Sequence, residues 1–473
     1  MKARRRLITV LVAVGLMLAI VTPTALAGKG SWDIRALYSG DTAFAQIEAL
    51  VGFGPRVAGG PAEAAAADYI ATEMESYGLD VEIQEFDIIY FEELSPPVLE
   101  QVSPNPTVYA EGVDFATMSY SGSGDVTVNI QAVDLLMPPT GGSTSGCEAT
   151  DFAGFTPGNI ALIQRGTCNF ALKALNAETA GAVGVIVFNE GNAPDRMGLL
   201  FGTLGGPGVT IPVVGTTFAL GEELYNLTLA GPVEVHMLTD TISEERTSQN
   251  VIGTLEGTHP EQGIVYMGGH YDSVSAGPGA NDDASGVAAM LEAARVLGTN
   301  GHRTKATLKF IAFGAEETGL DGSYNYVDAN FDEVSTMGIG MLNLDMVAVG
   351  DVLQIGNIGY AGGGGPQLRD YTQQKATAMG MEWESFAAGE NSDHTYFEQV
   401  GVPAAFITQR PDPYYHTSQD TLDKIQVSTL EVNGELAAAT MYDWAKNPVH
   451  RVAKAAHFDA KGHVYHDKVY AAE

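Results

Sequence analysis

Basic residues and cysteines are both scarce in this chain of 473 residues. Lysine and arginine together number 24 against 58 acidic residues, which gives a formal net charge of −34 at pH 7. This charge argues against a nucleic acid or an anionic membrane surface as a partner, because both would repel the chain. The two cysteines, Cys147 and Cys168, favour one disulfide over a metal-binding pair in an exported protein.

The N-terminal apolar run is too short to span a membrane. It extends from Leu7 to Ile20, about 14 residues where a span requires roughly 20. Basic residues precede it and the small-residue sequence ALA follows, which is typical of a secretory signal peptide at residues 1–27, cleaved near Ala27. We therefore expect a secreted protein, extracellular or periplasmic, without stable membrane association. The paired arginines leave twin-arginine export open as the route.

Three kinds of sequence follow one another along the chain. An Ala-rich helix ending near Gly78 and an alternating strand, DVEIQEFDI, occupy the first segment. Residues 98–244 hold short β-branched runs between Gly, Pro and Ser clusters, with FALKALNAETAGA as the clearest helix, which predicts a β-rich domain. From residue 245 onward strands alternate with helices, the pattern of a mainly parallel sheet in a three-layer α/β/α fold.

Candidate metal ligands follow the strands of this last segment. The passage GGHYDSVSAGPGANDDASG crowds one histidine and three aspartates among small residues. Strand ends carry His270 with Asp272, Glu316 with Glu317, Asp345, and Tyr415 with His416, while Asp282 and Asp283 precede a helix. Because sites in open α/β sheets form outside the carboxyl ends of the strands, we expect these side chains to share one site.

The residue types in this set narrow the choice of metal. Each motif alone has an ordinary explanation: adjacent glutamates can be a solvated pair, a histidine can be hydrogen-bonded, and an aspartate before a helix can be its N-cap. Four such motifs at equivalent strand ends favour a joint site. Two histidines and several carboxylates, with no thiolate, suit zinc, and suit manganese or cobalt less well. Five ligands around one ion would leave no open position, whereas two ions sharing a carboxylate would leave room for a bridging water. We therefore expect two Zn²⁺ ions per chain.

Six stretches carry a family resemblance: GGHYDS, GANDDASG, FGAEETGLDGS, NLDMV, NSDHTYFEQVGVPAAF and YYHTSQDT. Together they resemble the two-zinc aminopeptidase family, which also contains glutamate carboxypeptidase and the transferrin-receptor ectodomain. The resemblance covers about 41–95 and 248–445, and residues 100–240 look like a protease-associated domain. It implies a catalytic domain at 28–97 and 245–446, an inserted β-rich protease-associated domain at 98–244, and a polar tail at 447–473.

The resemblance also implies a role for each residue of the site. The metal ligands would be His270, Asp282, Glu317, Asp345 and His416, with Asp282 bridging the two ions. Glu316 would be the general base, and Tyr415 would hydrogen-bond the developing oxyanion. Asp272 would orient His270. Asp393 would contact the substrate amine or, equally, would serve as the N-cap of the helix that follows it.

The implied reaction is hydrolysis of the N-terminal peptide bond of peptides or proteins. A carboxypeptidase of the glutamate-releasing type is an alternative, but it would need cationic groups for the substrate carboxylate, for which Arg410 is the main candidate. A glutaminyl cyclase or a non-catalytic, receptor-like ectodomain would lack some of the five ligands, and all five are present.

Overall fold

A computed structural model describes residues 34–301, 303–360 and 364–448. The predicted signal peptide lies outside these residues, as does all of the predicted tail beyond Pro448. Among the helices of the described residues, none combines the length and the apolar composition that a membrane span requires.

Ten α-helices and fourteen β-strands lie within the described residues. The helices are α1 (Gly40–Val51), α2 (Pro61–Ser76), α3 (Phe170–Thr179), α4 (Phe218–Ala230), α5 (Ala284–Thr299), α6 (Asp321–Ala329), α7 (Phe331–Met337), α8 (Gln367–Ala378), α9 (His394–Gln399) and α10 (Val427–Lys446). The strands are β1 (Asp80–Ser103), β2 (Thr107–Val108), β3 (Phe115–Thr117), β4 (Gly124–Ala132), β5 (Ile160–Gln164), β6 (Gly184–Phe188), β7 (Val213–Thr216), β8 (Glu234–Leu255), β9 (Ile264–His270), β10 (Thr307–Phe313), β11 (Gly338–Leu344), β12 (Val352–Asn357), β13 (Glu384–Ala387) and β14 (Ala404–Arg410).

Four parallel strands form the centre of the C-terminal half. In spatial order they are β10, β9, β11 and β14, and almost every residue in them is buried. Antiparallel strands flank them, with β8 beside β10 and β12 beside β14. The predicted mainly parallel sheet is confirmed. The carboxyl ends of the four strands meet at one edge, where His270 is the last residue of β9 and Leu344 is the last of β11.

Helices cover both faces of this sheet. On one face α5 packs against β9, α1 and α10, and it buries apolar side chains such as Val287 and Leu291. On the other face Tyr326 of α6 and Phe397 of α9 form a hydrophobic cluster with strand residues such as Tyr266. Two helical layers on a buried sheet confirm the α/β/α fold class.

The strands β1 and β8 join the two halves of the molecule. They contain 24 and 22 residues, and they pair antiparallel from Asp80 opposite Thr254 to Ser103 opposite Glu234. The positions 97/98 and 244/245, where domain boundaries are expected, both lie inside these paired strands. Pro96 and Pro97, which have no amide donor, lie where the register shifts between Ser95 and Val98.

The inserted segment has a smaller sheet of its own. Its strands β4, β5, β6 and β7 run parallel, and helices α3 and α4 pack against them. Cys147 and Cys168 form a disulfide, as the cysteine count predicts for an exported chain. Beside it the buried ammonium of Lys173 donates to the carbonyl oxygen of Ser145 and lies 3.7 Å from the sulfur of Cys147.

Candidate metal centre

The predicted site residues meet at the carboxyl edge of the parallel sheet. The ends of β9, β10, β11 and β14 carry, in that order, His270, the pair Glu316 and Glu317, Asp345, and His416. Asp282 reaches the same point from the loop that precedes α5. His270, Asp282 and Asp345 are buried, while His416 is partly exposed. The topology therefore brings together residues that are far apart in the sequence.

Asp282 stands between the two histidines. Its Oδ1 lies 3.2 Å from Nε2 of His270, and its Oδ2 lies 3.3 Å from Nε2 of His416. Each carboxylate oxygen therefore faces one imidazole. A carboxylate that bridges two cations needs its two oxygens directed to different ligand sets, and Asp282 meets that requirement.

Each histidine also has a second carboxylate nearby. Oε2 of Glu317 lies 3.0 Å from Nε2 of His416, and Oδ1 of Asp345 lies 3.9 Å from Nε2 of His270. Glu316 lies on the His270 side, with its Oε2 4.0 Å from Nε2 of that residue. The side chains thus fall into two sets, one around each histidine, and Asp282 belongs to both.

Asp283 adds a carboxylate that the motifs did not assign to the metal. Its Oδ1 accepts hydrogen bonds from the amide of Gly286, 2.8 Å away at the start of α5, and from the amide of Met346, 3.0 Å away. Ligand atoms of His270, Asp283 and Asp345 lie within 4.8 Å of one another, as do those of His270, Asp282 and Glu317. Asp283 therefore caps a helix and contributes charge to the site at once.

Burial and mutual repulsion raise the pKa of most of these carboxyls. Burial, with Asp282 beside it, raises the pKa of Glu317 to about 7. Burial likewise raises the pKa of Glu316 and of Asp345. Asp282 is different, because the neighbouring imidazoles of His270 and His416 outweigh burial and lower its pKa. The acids repel one another wherever no imidazole lies between them.

The donor set fits zinc. Asp282 Oδ2, Glu317 Oε1 and Asp345 Oδ1 are buried without a hydrogen-bond partner among the described residues. Leaving a buried carboxylate oxygen without a partner is costly unless a cation binds it. Imidazole nitrogens and carboxylate oxygens, with no thiolate among them, are a zinc ligand set.

Asp272 holds two neighbouring loops at once. Its Oδ1 lies 3.4 Å from Nδ1 of His270, on the side of the ring away from Asp282. The same carboxylate accepts hydrogen bonds from the amides of Glu316, at 3.0 Å, and of Glu317, at 3.1 Å. It therefore lies behind the proposed ligand His270, and it also positions the backbone of both glutamates.

Arg56 is a positioning residue that no motif identified. It is fully buried, and its guanidinium donates to the carbonyl oxygens of Tyr271 at 2.5 Å, Pro278 at 2.5 Å and Gly279 at 2.9 Å. Burial lowers its pKa to about 10, opposed by the charge of the nearby Asp272. Arg56 thereby holds the loop between His270 and Asp282 in its folded path.

Further polar groups hold the other ligand loops. Glu63 accepts hydrogen bonds from the hydroxyl of Ser248 at 2.7 Å and from the amide of Ala315 at 3.2 Å, and burial raises its pKa to about 8. The hydroxyl of Ser392 donates to Oδ2 of Asp345 at 2.7 Å. Their only signal in the sequence is that they lie within or near the resembling stretches, which does not reveal their partners.

Three non-glycine residues at or next to the candidate site residues have left-handed backbone. Ala315, Met346 and His416 have φ angles of 54°, 59° and 55°. A non-glycine residue in this region costs about 1–3 kcal/mol and persists only where surrounding contacts determine it. The amide of Ala315 is held by Glu63 and that of Met346 by Asp283. The polar groups around the site thus stabilise a strained backbone.

Tyr415 and Asp393 differ in their placement. Tyr415 is 39% exposed, and its ring stacks on that of His416 with 3.8 Å between ring centroids, so the ring lies at the mouth of the site. Asp393 is fully buried and precedes α9, but its side chain makes no capping hydrogen bond. Its charge contributes to the raised pKa of Glu316, so it faces the site.

Two family models match separate regions of the chain. Residues 250–441 match peptidase family M28, and this region contains all five predicted metal ligands. Residues 129–224 match the PA domain, and this region contains both cysteines.

Similar proteins are aminopeptidases. Aminopeptidase YwaD of Bacillus subtilis is 34% identical over 438 residues, which cover 90% of each chain. An aminopeptidase of Pseudomonas aeruginosa is 38% identical over 312 residues, 66% of this chain, and this chain spans little more than half, 56%, of that relative. Among solved structures, an aminopeptidase from Aneurinibacillus sp. strain AM-1 has a TM-score of 0.66 and 33% identity, covering 87% of this chain and 95% of that one. BSAP, a zinc aminopeptidase from Bacillus subtilis, has a TM-score of 0.59 and 30% identity, covering 87% and 96%.

Proposed function

Because this chain belongs to peptidase family M28, we propose that it is a zinc-dependent aminopeptidase that removes N-terminal residues from peptides and proteins. The proposal rests on the position of Asp282. One of its carboxylate oxygens faces His270 and the other faces His416. This arrangement suits a pair of cations better than a single one.

Two Zn²⁺ ions would be held by the two sets of side chains. His270 and Asp345 would hold one, His416 and Glu317 would hold the other, and Asp282 would be shared. When bound, zinc polarises a carbonyl as a Lewis acid and lowers the pKa of a water molecule. Asp272 keeps the His270 ring in position for this role.

Glu316 is the residue that we assign as the general base. Within the adjacent pair Glu317 lies against His416, whereas Glu316 makes no such close contact and remains available to a substrate. Its carboxylate would take the proton of the attacking water and pass it to the leaving amine. The hydroxyl of Tyr415, at the mouth, would donate a hydrogen bond to the oxygen on which negative charge develops.

The acidic field of the site favours a substrate with a free α-amine. Asp345 and Asp393 are buried acidic groups that raise the pKa of Glu316, so carboxyls crowd the base from several sides. A cationic amine is attracted by this field, whereas the terminal carboxylate that a carboxypeptidase must bind is repelled by it. This asymmetry supports an aminopeptidase over the glutamate-releasing alternative. The convergence of all five ligands likewise disfavours a non-catalytic, receptor-like ectodomain.

Matched substrates test the proposal. We expect cleavage of leucine p-nitroanilide, almost no cleavage of its N-acetylated form, and little effect of amidating the C-terminus of a five-residue peptide. A strong chelator should abolish activity and zinc should restore it. Equal cleavage of the acetylated substrate, together with loss of cleavage on amidation, would instead establish the carboxypeptidase. Full activity in protein shown to be metal-free would exclude the two-zinc mechanism.

Secretion is a second part of the proposal and rests on the pattern at residues 1–27. The mature protein would begin near Gly28, with the catalytic domain at 28–97 and 245–446 and the protease-associated domain inserted at 98–244. Mass determination of the protein recovered outside the producing cell tests this directly, and an intact N-terminus in an active, exported protein would contradict it.

A further inference from the structure

Among the described residues, Arg410 lies at the mouth of this acidic site without an ion-pair partner. Arg410 is the last residue of β14, and it is only partly buried. Its guanidinium carbon lies 5.8 Å from the ring centroid of Tyr415. No ion pair formed by the described residues includes it.

The contacts of Tyr415 place this guanidinium close to the reacting groups. The Tyr415 ring stacks on His416, whose Nε2 lies 3.3 Å from the shared carboxylate of Asp282. Arg410 also reaches Asp345 electrostatically, because its positive charge opposes the burial that raises the pKa of that carboxyl. Arg410 therefore lies beside Tyr415, at the mouth of the centre.

The surroundings make an unpaired cation here unusual. Apart from His270 and His416, the ionisable groups at the centre are acidic: Asp282, Asp283, Glu316, Glu317, Asp345 and Asp393. Arg56 lies beneath them but is fully buried and committed to three backbone carbonyls. Among the described residues at this mouth, Arg410 is the cation that can bind a group from outside the chain. The surrounding field would otherwise repel any anionic part of a substrate.

We propose that Arg410 is a specificity-determining residue that binds a carboxylate of the substrate. This inference rests on the proposed aminopeptidase function. A planar guanidinium matches a carboxylate bidentately, which a lysine does not reproduce. The carboxylate has two possible sources: the side chain of an N-terminal glutamate or aspartate, or the C-terminus of a very short peptide. Both present the same chemistry, and matched substrates separate them.

The first arm of the test compares glutamyl p-nitroanilide with glutaminyl p-nitroanilide, which differ only in side-chain charge. The second arm compares the dipeptide Leu-Leu with its C-terminal amide. Each ratio of kcat/KM is measured in the wild type, in Arg410→Gln and in Arg410→Lys. Lys424→Gln is the control, because Lys424 lies 5.1 Å from the Tyr414 ring but is paired with Asp423 at 2.5 Å.

We expect Arg410→Gln to lower one of the two ratios about tenfold, the change that one charge-assisted hydrogen bond supports. Arg410→Lys should recover part of that loss, and Lys424→Gln should leave both ratios unchanged. A fall in the first ratio assigns the carboxylate to the substrate side chain, and a fall in the second assigns it to the C-terminus.

Two other outcomes would overturn the inference in different ways. Active protein whose ratios are the same in the wild type and in Arg410→Gln would remove the role of Arg410 and leave the aminopeptidase intact. A wild type that cleaves none of the substrates bearing a free amine, with zinc present, would remove the aminopeptidase proposal and the role of Arg410 with it.

Discussion

Oδ2 of Asp420 accepts a hydrogen bond of 3.0 Å from the backbone amide of Asp282. Its other oxygen accepts one of 2.8 Å from the amide of Asn281, so a single buried carboxylate fixes the backbone on which the shared ligand stands. The position of Asp282 between the two histidines therefore depends on a residue outside the proposed ligand set.

Replacing Asp420 by Asn should weaken zinc binding by about 10–100-fold, the usual effect of losing a partner that orients a ligand. The side-chain NH2 group of Asn is a donor, so it would face one of the two backbone N–H groups and could not accept its hydrogen bond. Zinc affinity by competition with a chelating dye measures the change. Asp423→Asn is the control, because Asp423 is exposed and its side chain bonds to Thr421 and Lys424 in the described part of the chain. Equal zinc affinity in both variants would remove this role from Asp420.

Glu316→Gln and Glu317→Gln should have opposite phenotypes. Glu316→Gln should bind zinc normally and lose about 10²–10⁴-fold in kcat, because it removes the proposed base. Glu317→Gln should instead lower zinc occupancy, since Glu317 lies 3.0 Å from His416. Metal content of the purified variants, measured beside turnover of leucine p-nitroanilide, distinguishes the two. Exchanged phenotypes would show that the roles within the pair are reversed.

Replacing Arg56 by Lys should destabilise the fold by about 2–5 kcal/mol, because at least two buried carbonyls lose their donor and each costs about 1–3 kcal/mol. Urea denaturation of zinc-saturated protein measures the loss. The matched control is Arg35→Lys, since Arg35 forms an exposed ion pair with Glu435 at 3.1 Å, and such pairs contribute only about 0–1 kcal/mol. If Arg56→Lys were as stable as Arg35→Lys, the buried guanidinium would not be what holds the loop.

Replacing both Cys147 and Cys168 by Ser should lower the free energy of unfolding by about 3 kcal/mol. The bond closes a loop with a sequence separation of 21, and freeing it restores entropy to the unfolded chain. The bond lies in the inserted segment, away from the ligand strands, so kcat/KM for leucine p-nitroanilide at 25 °C should be retained. Loss of activity without loss of stability would mean that the inserted segment acts in the reaction itself.

The fold class and the meeting of the candidate ligands at one edge could be predicted because both leave local patterns. Alternating strands and helices predict a parallel sheet, and a parallel sheet brings the residues after its strands to one edge. His270, Glu317, Asp345 and His416 all follow strands in this way, so the topology alone explains why they meet. The disulfide could be predicted for a similar reason, because a chain with two cysteines allows only one pairing within itself.

The residues that hold the ligands in place left no such pattern. Arg56 and Glu63 come from the first segment of the chain, and they bond to backbone groups near residues 271–279 and 315. A hydrogen bond to a backbone carbonyl or amide places no requirement on the side chain of the partner residue. The residue types at the two positions therefore do not reveal the contact. The boundaries at 97/98 and 244/245 fell inside β1 and β8 for a related reason, because a strand can continue across a change of composition.

The sequence by itself thus determined which groups could bind zinc and which edge of the sheet they would share. Only the tertiary structure decided that the two oxygens of Asp282 face different histidines and that Arg410 has no ion-pair partner among the described residues. The physical reason is that orientation and pairing depend on distances across the fold, and side chains more than a hundred residues apart acquire those distances only when the backbone closes around them.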